Sequence, residues 1–126
     1  MTSGTPAAGW VDDYLARIGL PRPVSADLGA LRDLQAAHLL AVPFENLSIH
    51  LREPIVLDQA ALVTKVARMH RGGFCYELNG AFAGLLTALG FRVSLLSARV
   101  LLLSRPQKGR PKTVDRCAQP HVESGP

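Results

Sequence analysis

Two adjacent glycines, Gly72-Gly73, separate two amphipathic stretches, and a cysteine follows two residues later. The run Arg71-Gly72-Gly73-Phe74-Cys75-Tyr76-Glu77-Leu78-Asn79 constrains the fold more than any other part of the chain. Downstream, Phe82, Leu85, Leu86 and Leu89 recur at the i, i+3, i+4, i+7 spacing of one buried helix stripe, and Gly90 stands where a C′ glycine ends a helix. Upstream, Leu62, Val63, Val66 and Met69 are expected to point inward from a helix that starts near Asp58 and stops at the glycine pair. Cys75 is therefore expected to open a helix, where unpaired N–H groups and the helix dipole favour an anion. The thiolate is the nucleophilic form of cysteine. Most free cysteines are small buried hydrophobes; the glycine pair and the helix start set this one apart. Gly72 and Gly73 are expected to serve backbone geometry, through positive φ or close approach.

The remaining segments read as a small helical bundle leading into one strand. A first helix is expected over residues 10–18, stopping at Gly19, with Pro21 and Pro23 breaking the path beyond. Ser25 or Asp27 can cap a second helix that places Leu28, Leu31, Leu34 and Leu39 near one face and ends at Pro43. Residues 49–56 read as a connector, and residues 91–103 as a strand in which Phe91, Val93 and Leu95 alternate. The character then changes abruptly. Beyond Leu103 no segment offers four consecutive apolar residues, and four of the nine prolines lie there. The expected organisation is α+β and mainly α: a helical bundle over 1–92, a first strand over 93–103, and a disordered Pro/Lys/Arg-rich tail over 104–126.

The formal charge is +4, but five basic against two acidic residues of that balance lie in the tail from Ser104. The body is nearly neutral, so nucleic-acid binding is not expected. Two cysteines, Cys75 and Cys117, do not make a disulfide framework, and no CxxC or paired Cys/His spacing suggests zinc, so no metal is expected. The longest apolar stretch is interrupted by Arg92 and Arg99, which argues against a membrane span. Without a secretory signal at the start of this sequence, a cytoplasmic location is the expectation.

The nine-residue run at Cys75 closely resembles the active-site signature of the arylamine N-acetyltransferases. So does Val42-Pro43-Phe44-Glu45-Asn46-Leu47, preceded by a helix carrying His38. The resemblance runs from about residue 10 to about residue 100 and rests on two separate motifs in the family's order. It implies a helical bundle followed by a β-barrel domain and a C-terminal lid, on a core shared with cysteine-protease-like and transglutaminase-like enzymes. It also implies acetyl-CoA as acetyl donor and a small arylamine or hydrazine as acceptor. A cysteine of a Cys-His-Asp triad would be acetylated and then discharged to the amine.

On that resemblance Cys75 is the nucleophile, and Glu45 and Arg71 are paired charges fixing its loop. Phe44 would be core or pocket wall. His38, His50 and His70 do not match the triad histidine by position. The downstream candidate is His121, somewhat late and followed by Val-Glu-Ser-Gly-Pro rather than a hydrophobic strand. The triad aspartate has no counterpart, and Asp115 is not assigned to it. A truncation or change of frame near Leu103 would produce this pattern. Losing an orienting carboxylate costs about four orders of magnitude in a comparable triad, so weak or absent turnover is expected. The alternative is a non-catalytic remnant or helical interaction fragment, and a thiol redox responder at Cys75 is a further one. An apolar face left without its strands would promote self-association.

Overall fold

The computed structural model describes residues 8–101 and 113–123, with side chains over 8–98. Among the described residues five α-helices precede two strands: α1 (Trp10–Ile18), α2 (Leu28–Ala41), α3 (Leu47–His50), α4 (Gln59–Val63), α5 (Cys75–Ala88), β1 (Arg92–Leu101) and β2 (Thr113–Glu123). A π-helical turn, Thr64–Arg68, continues directly from α4. None of the described helices is long and apolar enough to cross a membrane.

Local chemistry sets most helix ends. Gly19 takes a left-handed φ of 78° after α1, where the Leu20 N–H bonds the Leu15 carbonyl at 3.0 Å. Asp27 caps α2, its Oδ1 accepting the Ala30 N–H at 2.8 Å while Ser25 Oγ donates to Oδ2 at 2.7 Å. These bonds, the Ala30 one foremost, hold the Asp27 carboxyl below its usual range. Asp58 caps α4 in the same way through the Ala61 N–H at 2.8 Å. Gly90, with φ 99°, ends α5.

The core gathers Tyr14, Leu15 and Ile18 of α1, Leu34 of α2, Leu62 and Val63 of α4, Val66 and Ala67 of the π turn, and Ala81, Phe82, Leu85 and Leu86 of α5. Burial of each large apolar side chain contributes about 1.5–3 kcal/mol relative to exposure. α5 lies close against α4, because a Cβ on Gly80 would come within 2.9 Å of Leu62 Cδ1. Two expectations about inward residues fail. Met69 is exposed, because the π turn and a left-handed His70 (φ 53°) swing it off the helical stripe. Leu28 and Leu39 are exposed as well, since α2 buries only a narrow face around Leu34 and His38.

β1 and β2 form a two-stranded antiparallel sheet whose register runs from Arg92 opposite Glu123 to Arg99 opposite Arg116, then shifts so that Val100 faces Val114. The expected disordered tail is thus corrected over residues 113–123, which form a strand. A strand paired along a neighbour satisfies its backbone through the ladder, so a run of consecutive apolar residues is not required. Pro120, which counts against a central strand, is tolerated at a sheet edge. Residues 102–112 and 124–126 of the expected strand and tail lie outside the described residues.

Candidate active site

Cys75 is the first residue of α5, half-buried, with Phe74 in extended conformation (ψ −179°) at the N-cap. The approach to it is held by backbone contacts with a distant segment. Glu45 N–H donates to the Gly73 carbonyl at 2.9 Å and Gly73 N–H to the Pro43 carbonyl at 3.3 Å, a parallel bridge between Phe44 and Gly73. The glycine pair follows from this proximity. A Cβ on Gly72 would overlap the Pro43 carbonyl, and one on Gly73 would lie 2.8 Å from Glu77 Cβ and Oε1. Close approach, not positive φ, is their reason; the left-handed residue of this turn is His70.

Around the turn lies a network of charged side chains. Arg71 Nε donates to Glu45 Oε1 at 3.0 Å, with the two side chains 24% and 16% exposed. Arg71 also reaches Glu53 Oε2 at 3.4 Å. Ser48 Oγ donates to Glu53 Oε2 at 2.9 Å, and this bond, aided by the Arg71 and Lys65 charges, holds the Glu53 carboxyl below its usual range. The hydrogen bond with Glu45 in turn pushes the Arg71 guanidinium further up. Lys65 Nζ reaches Glu77 Oε2 at 2.6 Å and Ser48 Oγ at 2.7 Å. Glu77 Oε1 accepts the Phe74 N–H at 3.3 Å, the reach-back arm of a capping box at the start of α5.

The residues singled out from sequence fall into three groups. Arg71, Glu45, Gly72 and Gly73 converge on the turn before Cys75. Phe44 supplies the bridge backbone, yet the residue is 70% exposed and is not part of the core. His121 lies in β2 with its backbone opposite Ser94 of β1, and its side chain is outside the described residues, as is that of Cys117. Sequence reasoning gives no site role to Lys65, Ser48 or Glu53. Glu77 could have been found, because it stands three residues past the N-cap at the capping-box position.

His38, set aside on position, is buried on α2. Its Nε2 shares a 2.7 Å hydrogen bond with the Tyr14 hydroxyl, and its ring lies 4.7 Å from that of Phe82. Burial, with the Arg17 charge adding to it, pushes His38 down to about 4. The helical signal is present in both helices: His38 is four residues from Leu34 on α2, and Tyr14 lies beside Leu15 on α1. A cavity of about 350 Å³, lined by Leu20, Pro21, Val24, Asp27, Ala30 and Leu34, lies between the α1–α2 connection and α2; Cys75 and its network do not line it.

Residues 27–114 match the N-acetyltransferase family model. The arylamine N-acetyltransferase / N-hydroxyarylamine O-acetyltransferase of Salmonella typhimurium is 48% identical over 84 residues, covering 67% of this chain and 30% of that protein. The solved structure of an arylamine N-acetyltransferase from Salmonella typhimurium superposes with a TM-score of 0.78 at 33% identity, over 94% of this chain and 41% of that one. The structure of Mycobacterium marinum arylamine N-acetyltransferase in complex with CoA gives a TM-score of 0.75 at 35% identity, over 90% and 42%. The chain spans about a third of the length of the curated relatives it matches. With most of its residues matched by the family model, and with relatives this similar in both sequence and structure, the chain belongs to the arylamine N-acetyltransferase family.

Proposed function

We propose that this chain carries the nucleophile of a two-step acetyl transfer from acetyl-CoA to an arylamine or hydrazine. The observation that supports it most is the placement of Cys75 as the first residue of α5, behind a turn held by the Phe44–Gly73 bridge and the Arg71–Glu45 pair. In the first step the Cys75 thiolate adds to the thioester carbonyl of acetyl-CoA. The bond from that carbonyl to the CoA sulfur breaks, and CoA leaves as its thiolate. In the second step the amine nitrogen attacks the acetyl-cysteine, the C–S bond breaks, and the amine proton passes to a base as Cys75 is regenerated. Two moderate barriers replace one large one. His121 is the candidate base, with no aspartate assigned to orient it, so turnover is weak or lost. The β1–β2 sheet is read as the start of the barrel domain that the resemblance implies.

Brief exposure of the purified chain to acetyl-CoA, followed by intact-mass spectrometry with Cys75→Ala alongside, tests this. One acetyl group on the parent, absent from the variant and removed by an arylamine, is the expected result. A folded chain that gains no acetyl group supports the second reading, a non-catalytic fragment. The observation favouring that reading is the apolar surface at Phe44, Leu47, Ile49 and Leu51, all exposed next to the candidate site's segment.

A further inference from the structure

Lys65 reaches the surroundings of the nucleophile from the π-helical turn, where the Met69 N–H bonds the Thr64 carbonyl at 2.9 Å and widens the helix. Its own carbonyl accepts the Arg71 N–H at 2.9 Å. Its side chain, 16% exposed, runs inward to Glu77, which is 4% exposed. Glu77 in turn receives the Phe74 N–H, the group immediately before Cys75. One residue thus grips both ends of the Arg71–Glu77 turn, by backbone at the start and by side chain at the end.

The charges around this turn are unequal. Among the described residues, its ion pairs join the two cations Lys65 and Arg71 to the three carboxylates of Glu45, Glu53 and Glu77. Arg71 faces Glu45 and Glu53, which leaves Lys65 as the cation in contact with Glu77. Removing one member of a buried pair strands the other charge, which costs far more than the pair contributes. Here the stranded charge would lie two residues from the thiol, on the same helical turn.

We propose that Lys65 is a positioning residue for Cys75: its ammonium holds the Glu77 carboxylate as acceptor for the Phe74 N–H and masks that carboxylate's charge within the helical turn that Cys75 opens. The role assigned to Cys75 rests on the acetyl-transfer reading, whereas the test does not, because it uses no acetyl-CoA. The full chain is alkylated in parallel with neutral iodoacetamide and anionic iodoacetate, and peptide mass spectrometry follows Cys75 separately from Cys117. Both reagents consume the same thiolate, so the ratio of their rates reports the charge around the sulfur rather than its degree of ionisation. Lys65→Met is expected to lower the iodoacetate-to-iodoacetamide ratio about fivefold. Lys65→Arg is expected to keep the parent ratio. Lys65→Met combined with Glu77→Gln, which removes the carboxylate but keeps an acceptor for Phe74, is expected to restore it. An unchanged ratio in Lys65→Met, or a double variant as low as the single, overturns the proposal. Should Lys65→Met fail to fold by far-UV circular dichroism, the double variant decides: folded with the parent ratio supports the proposal, and unfolded or low overturns it.

Discussion

The Tyr14 hydroxyl and His38 Nε2 meet at 2.7 Å inside the helical core, with the His38 ring between Tyr14 and Phe82. Burial pushes the tyrosine hydroxyl up and the imidazole down, so the pair is neutral at physiological pH. A neutral polar pair on facing helices specifies how α1 and α2 dock without burying a charge.

That pair makes stability pH-dependent in a defined window. His38 titrates near 6.5 when unfolded and at about 4 when folded. Between those values the unfolded chain holds more protons, so stability falls as pH drops from 6.5 towards 4 and the effect is complete below 4. The expected loss is about 3 kcal/mol. Urea titrations at pH 7 and pH 4.5 capture most of it, and His38→Gln should flatten the slope in this window; an equally steep variant would refute the assignment.

Arg17 ties three segments together from α1. Its Nη1 donates to the Ala41 carbonyl at 2.8 Å and its Nε to the Val66 carbonyl at 3.2 Å, at the end of α2 and in the π turn. Arg17→Met keeps the aliphatic stem and removes the donors, so a loss of about 2 kcal/mol is expected from denaturant unfolding. Arg17→Lys should recover only part of it, because a single ammonium does not reproduce the guanidinium fork.

Gly72 and Gly29 should respond in opposite directions to alanine. At Gly72 the added methyl would overlap the Pro43 carbonyl, so the bridge must open; a loss above about 2 kcal/mol and slower Cys75 alkylation are expected. At Gly29, in the first turn of α2, the methyl meets only Asp27 Oδ1 at 3.4 Å. A gain of about 0.5 kcal/mol is expected there from helix propensity. Thermal unfolding of the two variants side by side is the check.

How much of this was readable from sequence depended on the range of the interaction. The stops at Gly19 and Gly90 and the cap at Asp58 are local, and their signals are a glycine or a carboxylate at a set offset. The π turn carries no comparable residue signature, so Met69 was expected inside and lies outside. β2 was missed because its stability comes from pairing with β1 rather than from its own composition. At the candidate site, the Cys75 helix start is local and legible, whereas Lys65, Ser48 and Glu53 gain meaning only when folding brings them to Arg71 and Glu77.

Exposed apolar residues carry a further expectation. Phe44, Leu47, Ile49, Leu51, Val56 and Leu57 are all exposed, as are Leu39 and Leu40 at the end of α2. Such a surface promotes self-association. Light scattering coupled to size-exclusion chromatography should show concentration-dependent oligomers, reduced by a Phe44→Ser, Leu47→Ser double variant. A monodisperse monomer at high concentration would rule this out.

The Phe44–Gly73 bridge joins backbones far apart in the chain. Closing so long a loop carries an entropic cost that only packing of the intervening helices can offset. The thiol's setting is therefore a product of tertiary packing: an isolated peptide spanning Arg71 to Asn79 would carry the cysteine without the backbone partner that shapes its approach.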